Sequence, residues 1–180
     1  MNNKILKLTF ILFLVCAITA GILGGVNELT RERIANIEQQ KTAKAYAAVI
    51  DADSFEPVSF DKAAFPTVNG IYKAGDAGYV VESTFSGAQG SITMATGVSS
   101  DYKCTGISII SHSETSGLGA NAASTGEVGV NFRSQFVGED DTVALSKAGG
   151  NIDALTGATI TSRSVTNACA LSIKAVESLG

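Results

Sequence analysis

The stretch Asp153-Ala154-Leu155-Thr156-Gly157-Ala158-Thr159-Ile160-Thr161-Ser162 concentrates hydroxyl chemistry. Four of its ten side chains, those of Thr156, Thr159, Thr161 and Ser162, end in OH. Gly157-Ala158 leaves its middle sterically bare, and a helical pattern follows directly. Ser and Thr at the mouth of a helix are ordinary N-caps. The same place is a natural anion site, because unpaired backbone N–H groups and the helix dipole converge there. Spacing alone leaves both readings open.

A second stretch, His112-Ser113-Glu114-Thr115-Ser116-Gly117-Leu118-Gly119, follows an apolar strand pattern. By itself it reads as a surface turn. The composition excludes several chemistries. There is one His in the chain, so a multi-His metal site is ruled out. The three Cys, at 16, 104 and 169, include no Cys-x-x-Cys, so neither a zinc knuckle nor an iron–sulfur cluster is signalled. Cys16 lies in an apolar run, which leaves Cys104 and Cys169 as two buried thiols or as a pair. The net charge is −4, and setting aside Lys4 and Lys7 makes the remainder more acidic still. That argues against a nucleic-acid partner, which would require a basic face.

The elements that position these stretches can be read in chain order. From Leu8 to Asn27 there are 20 residues without a charge. At ~1.5 Å per residue such a helix spans roughly 30 Å, the thickness of a hydrocarbon core. A cleaved signal peptide competes, with Lys4 and Lys7 as its charged start. It is disfavoured by the length of the run and by Ile18 at the −3 position of a cut after Ala20. A lipoprotein reading fails on Leu14-Val15 before Cys16. The expectation is a retained single-pass anchor, with its short N-terminal tail in the cytoplasm and the rest of the chain outside. Gly21-x-x-x-Gly25 is a pattern that lets another helix approach closely.

Asn27 to Ile50 reads as a further helix, capped by Asn27 or Thr30 and broken by Glu56-Pro57 and Phe65-Pro66. From Gly70 the pattern becomes short strands separated by Gly-rich turns: Ile71–Ala74, Tyr79–Phe85, Ser91–Val98 and Cys104–Ser111. This predicts an antiparallel meander. Val130–Phe136 reads as a short helix and Asp141–Lys147 as another strand. Val165, Cys169, Ile173 and Val176, with Ala168 and Ser172 alongside, give the last helix a face for the sheet. The expected class is α+β, an antiparallel sheet flanked by helices and preceded by one N-terminal transmembrane helix. The expected organisation is tail and anchor at 1–27, helical stalk and linker at 28–69, and the folded domain at 70–180.

Two of these stretches together resemble the FMN-binding domain family. Its members include the G subunit of Rnf complexes and the C subunit of sodium-pumping NADH:quinone reductases. Asp153-x-x-Thr156-Gly157-Ala158-Thr159, followed by Thr161-Ser162, is similar to the family's flavinylation motif, whose last Thr carries FMN through a phosphoester. The matching position is Thr159. Glu114-Thr115-Ser116-Gly117-Leu118-Gly119 resembles the family's Glu-Thr-Pro-Gly-Leu-Gly loop, which lies against the flavin. Ser116 departs from the family's Pro, which removes a fixed φ. The wording around His112 is closer to the Rnf G subunit than to the quinone-reductase C subunit.

The resemblance implies covalent FMN, no catalytic residue and no metal. It implies a separate flavin transferase that uses FAD and Mg2+. Thr159 has no activating base beside it: His112 lies far upstream and no Lys lies near the motif. It therefore reads as a substrate for modification. Gly157-Ala158 would let the transferase reach the hydroxyl, and Asp153 would be a recognition or turn residue. The amides around Thr161 and Ser162 would hold the phosphate. Gly117 and Gly119 would admit a planar ring, Leu118 would touch it, and Thr115 would offer a hydrogen bond. Glu114 could bond a flavin edge or a loop amide. The implied role is an electron-transfer subunit of a membrane-bound ferredoxin:NAD+ oxidoreductase that pumps ions, alongside other membrane and peripheral subunits. The alternatives are a quinone-reductase C subunit, a free-standing extracellular flavoprotein, and a non-redox membrane-anchored scaffold.

Overall fold

A computed structural model describes residues 3–180. The chain divides into two compact units, Met1–Gln40 and Lys41–Gly180. A single helix, α1 (Asn3–Val49), supplies all the described residues of the first unit and opens the second. The large apolar side chains from Ile5 to Val26 are exposed, and by length and composition this helix can cross a membrane. Three of its threonines turn their hydroxyls back onto the helix's own backbone. Thr9 donates to Ile5 O (3.0 Å), Thr30 to Val26 O (2.9 Å) and Thr19 to Val15 O. Such back-bonding removes the cost of a bare donor in hydrocarbon. The expected cap at Asn27 or Thr30 is corrected here: α1 runs through both positions without a break, and Thr30 bonds backwards instead.

The second unit is built on a five-stranded antiparallel sheet. Its strands are β1 (Glu56–Val58), β2 (Val68–Lys73), β3 (Tyr79–Ser86), β4 (Ser91–Val98) and β5 (Cys104–His112), paired in chain order. The meander expected from the Gly-rich turns is present, with one strand more. β1 carries Pro57, which has no N–H and is tolerated because β1 is an edge paired only with β2.

Alternation along β3 and β4 divides the sheet into two apolar faces. On one face Val81, Met94, Val98 and Ile107 pack under α2 (Glu127–Ser134) and α3 (Thr159–Glu177). Val165, Cys169, Ile173 and Val176 of α3 are buried there, as their spacing predicts. Cys104 and Cys169 meet in this core as free thiols. The hydrogen bond from one thiol to the other, together with burial, pushes Cys169 well above the usual thiol value.

On the other face Val80 and Ala95 meet Ala45, Tyr46, Val49 and Ile50 at the end of α1. Gly97 and Gly106 are register partners, and Val49 lies over both. A Cβ on Gly97 would stand 2.5 Å from Val49 O, so this groove exists only for glycine. The Tyr46 hydroxyl donates to Glu82 Oε2 at 2.7 Å. Burial, then the bond to Glu82, pushes the Tyr46 phenol well above its ordinary value. The folded unit therefore starts inside α1, well before residue 70.

Two expected elements change. The helix read at Val130–Phe136 is α2, shifted towards the N-terminus. Asp141–Lys147 is not a strand. Asp140 Oδ1 accepts from the Thr142 amide (3.0 Å) and hydroxyl (2.5 Å), which turns the chain instead of extending it. Only a single parallel bridge, Leu145 to Ile152, remains, followed by a 3-10 turn at Ser146–Ala148.

Ser83 and Thr96 are buried in the sheet and their hydroxyls have no partner among the described residues. An unmade buried hydrogen bond costs about 1–3 kcal/mol. Thr96→Val keeps the shape and removes the donor, so a rise in melting temperature is expected by calorimetry. A fall would mean that the hydroxyl has a partner in solution.

Candidate functional site

The antiparallel register brings three segments to one end of the sheet. Ser86 pairs with Ser91 and Ile92 with His112, so the β3–β4 turn and the chain leaving β5 lie side by side. The start of α3 joins them. Together they line a cavity of about 320 Å3, with Ala88 and Gln89 from the turn, Glu114, Thr115, Leu118 and Gly119 from the loop, and residues 157–161 from the start of α3. The hydroxyl-rich stretch and the Glu114 stretch therefore share one pocket.

Glu114 ties the three segments together. Its Oε2 accepts from the Thr161 hydroxyl (2.5 Å) and its Oε1 from the Gln89 amide (3.1 Å). The Gln89 amide comes from the β3–β4 turn, so Glu114 bonds a loop amide across the fold. Gly119 and Gly87 make room for the carboxylate: a Cβ on either would collide with a Glu114 oxygen. Burial alone would push the Glu114 carboxyl up, but the Thr161 hydroxyl and the amides of Gln89, Ala88 and Gly90 outweigh it and hold it below its ordinary value.

This has a consequence for pH. A carboxyl held below its unfolded value, about 4.3 for Glu, stabilises the fold above that value. That contribution is lost as the pH falls through the lower folded value. Acid titration followed by circular dichroism should show Glu114→Gln less stable than the native chain at neutral pH. The difference should shrink progressively below about pH 4. A pH-independent difference would assign the effect to packing.

His112 is exposed, and its Nδ1 accepts from the Glu114 amide at 3.2 Å, a turn-holding role. The following loop closes without the family's Pro. Thr115 O accepts from the amides of Leu118 and Ala120 (both 3.2 Å), and Asn121 Nδ2 donates to Gly117 O (3.0 Å). Gly117 sits at φ +78°, which glycine adopts without strain. Leu118 is 44% exposed and projects its Cδ2 towards Gly157.

At the start of α3 the hydroxyls separate into two kinds. Ser162 accepts from the Leu155 amide (3.0 Å) and donates to Ala158 O (2.9 Å), and it is fully buried. Thr161 is committed to Glu114. Neither caps the helix: the N-cap residue is Ala158, with no side-chain bond, which corrects the expected Ser or Thr cap. The Ser162 amide is used by Ala158 O, so it is not available to an anion. The amides of Thr159, Ile160 and Thr161 are the ones without a partner among the described residues. The hydroxyls of Thr156 and Thr159 make no hydrogen bond among the described residues. Thr159 lines the Glu114 pocket. Thr156 is exposed and lines a neighbouring cavity of about 490 Å3 with Asp153, Leu118 and Asn131.

Gly157 makes this turn possible at φ +72°, with Ala158 N donating to Leu155 O (3.0 Å). Asp153 is exposed, and its backbone is clamped by Gln135, whose Oε1 accepts from the Asp153 amide at 2.7 Å. The Asp153 carboxylate has no bond among the described residues and is open to a visitor. Sequence reasoning misses Ala88, Gln89 and Gln135, which enter only through strand register and the position of α2. It also misses Lys147, which lines a cavity together with Thr159.

Residues 87–174 match the family described as FMN-binding domain, and residues 1–49 match the RnfG N-terminal region. The chain is 35% identical to the G subunit of the ion-translocating oxidoreductase complex of Methanosarcina acetivorans, over 93% of this chain and 92% of that one. It is 34% identical to the G subunit of the proton-translocating ferredoxin:NAD(+) oxidoreductase complex of Clostridium ljungdahlii, over 92% and 88%. It is 32% identical to the G subunit of the Na(+)-translocating ferredoxin:NAD(+) oxidoreductase complex of Acetobacterium woodii, over 97% and 93%. The matched FMN-binding domain spans the β3–β4 turn, the Glu114 loop and most of α3, the same segments that build the pocket. The chain belongs to the family of G subunits of ion-translocating oxidoreductase complexes, built on the FMN-binding domain.

Proposed function

We propose that the chain is the electron-transfer G subunit of a membrane-bound, ion-translocating ferredoxin:NAD+ oxidoreductase complex, and that it carries FMN as a phosphoester on Thr159. The observation that carries the reading is the isolation of one hydroxyl. Of the four in the motif, Thr159 alone is both without a hydrogen bond among the described residues and on the wall of the Glu114 pocket.

The site's residues fit the group. The pocket volume falls within the usual range of ligand sites, about 300–1,000 Å3. Leu118, Ala158 and Ile160 supply apolar wall, and Thr115 and the Gln89 segment supply polar edges. The open amides of Thr159, Ile160 and Thr161 face an anion favourably. Bound FMN supplies one- and two-electron redox chemistry, which no side chain here supplies. The chain binds and orients it. Leu118 and Ile160, 44% and 62% exposed, rim the pocket and leave an apolar edge for a redox partner to approach.

Loading needs a second protein. A magnesium-dependent transferase brings FAD. The Thr159 Oγ1–P bond forms as the pyrophosphate bond breaks, and AMP leaves with the hydroxyl proton released. The free Asp153 carboxylate offers that enzyme a recognition point. The α1 span anchors the chain as a single pass, with the N-terminus in the cytoplasm and the flavin domain outside, where covalent attachment prevents loss of FMN. The electron donor and acceptor are other membrane and peripheral subunits of the complex. Relatives of similar identity are named for proton and for sodium translocation. A quinone-reductase C subunit or a free-standing flavoprotein is less well supported than the G subunit, because the G-type relatives match from the anchor to the last helix.

The test is in-gel fluorescence of the protein purified from its native host and denatured. A fluorescent band supports the reading. A dark band from cells with active transferase overturns it in favour of a non-redox anchored scaffold.

A further inference from the structure

Thr159 borders a second cavity, of about 160 Å3, which shares no other lining residue with the Glu114 pocket. Its walls include Leu145, Lys147, Ala148, Arg163 and Asn167. Lys147 comes from the 3-10 turn at Ser146–Ala148, and Arg163 from one turn into α3. The two cations have no hydrogen bond or ion pair among the described residues, whereas Lys103 and Lys174 each pair with an aspartate. The Glu114 pocket has the opposite character: its one charged side chain is a carboxylate. Charge is therefore split across Thr159, positive on one side and negative on the other.

We propose that Lys147 and Arg163 form the cradle for the phosphate of the Thr159 ester, and so set the direction in which the attached flavin lies. The inference rests on FMN being carried by Thr159. A phosphodiester keeps one negative charge. It is drawn to the ammonium and the guanidinium and repelled by the Glu114 carboxylate. The phosphate thus stays on the Lys147–Arg163 side, and the ring is left to the pocket walled by Leu118 and Ala158. Asn167, a further turn along α3, adds a neutral donor to the same cavity. Lys147 and Arg163 are positioning residues: they hold the ester and do not touch the ring.

The test uses the full chain in detergent, loaded by transferase with FAD and Mg2+, and read by 31P NMR. In the native chain the diester resonance should be displaced from that of a free flavin phosphodiester. In Lys147→Gln/Arg163→Gln it should move to the free position, and loading should slow by roughly tenfold, the loss expected for one or two charge-assisted hydrogen bonds. Lys147→Arg/Arg163→Lys should restore both. Coincident resonances in the native chain and the double Gln variant overturn the cradle while leaving Thr159 flavinylation intact. Absence of any diester resonance in the native chain overturns the underlying reading as well, so the two failures are distinct. Both side chains are exposed, so the single Gln variants carry the same comparison if the double one does not fold.

Discussion

Thr159→Ala is expected to give a folded chain with no covalent flavin at all. Thr159 is half-buried, and its hydroxyl makes no hydrogen bond among the described residues, so its loss leaves no partner unpaired. Stability should change by less than about 1 kcal/mol, as for a substitution that opens no cavity and orphans no donor. Loading should fall to zero, because the motif's other hydroxyl on this pocket, that of Thr161, is already committed. Ser162 is bonded at both ends of its hydroxyl, and Thr161 is held by Glu114. Thr159→Ser should keep the modification, and so should Thr156→Ala. Denaturing gels viewed under ultraviolet light check all three. Loss of the band in Thr156→Ala, with its retention in Thr159→Ala, would mean that the flavin occupies the Asp153 side of the turn.

Gly119→Ala is expected to damage the site with a single methyl. The added Cβ would collide with Glu114 Oε2 and stand 2.6 Å from Thr161 Oγ1 and 3.0 Å from Glu114 Cβ. These neighbours are buried and cannot rotate away into solvent. Either α3 moves off the sheet or the carboxylate leaves its partners. Overpacking of this kind costs about 1–3 kcal/mol, which should lower the melting temperature by several degrees. The pocket should distort with it, so that transferase-catalysed loading falls well below the native level. Gly117→Ala is the control. A Cβ there meets nothing within 4 Å, and its cost is only that of φ +78°, of order 1 kcal/mol. If both variants load equally, Glu114 is not what shapes the pocket.

These two residues show how unevenly the fold is written in the sequence. The α3 face is legible, because Val165, Cys169, Ile173 and Val176 repeat at a period that only a helix uses. The meander is legible, because glycine-rich turns separate short alternating strands. β1 is not, since a proline in a three-residue segment reads as a break until an edge is there to receive it. Asp141–Lys147 misleads for a different reason: its β-prone residues follow Asp140, whose side chain turns the chain before pairing can start.

The site divides in the same way. Thr159 and the Glu114 loop stand out only when the two stretches are taken together and set against the FMN-binding family. The sharing of roles among the four hydroxyls does not, because the helix register and the Glu114 carboxylate decide it, and both are tertiary. An N-cap role is expected for Thr or Ser and falls to Ala158, which frees Thr159 and leaves the first amides of α3 open. Ala88, Gln89 and Lys147 carry no local signal. They join the site only once β3 turns into β4 and the chain before α3 folds back.

The most direct measurement is tandem mass spectrometry of the Asp153–Arg163 peptide from protein taken from membranes of its native host. Expected is one FMN joined through its phosphate to the hydroxyl of Thr159, with Thr156, Thr161 and Ser162 unmodified. FMN on Thr156, or an unmodified peptide from cells whose transferase is active, would contradict the assignment.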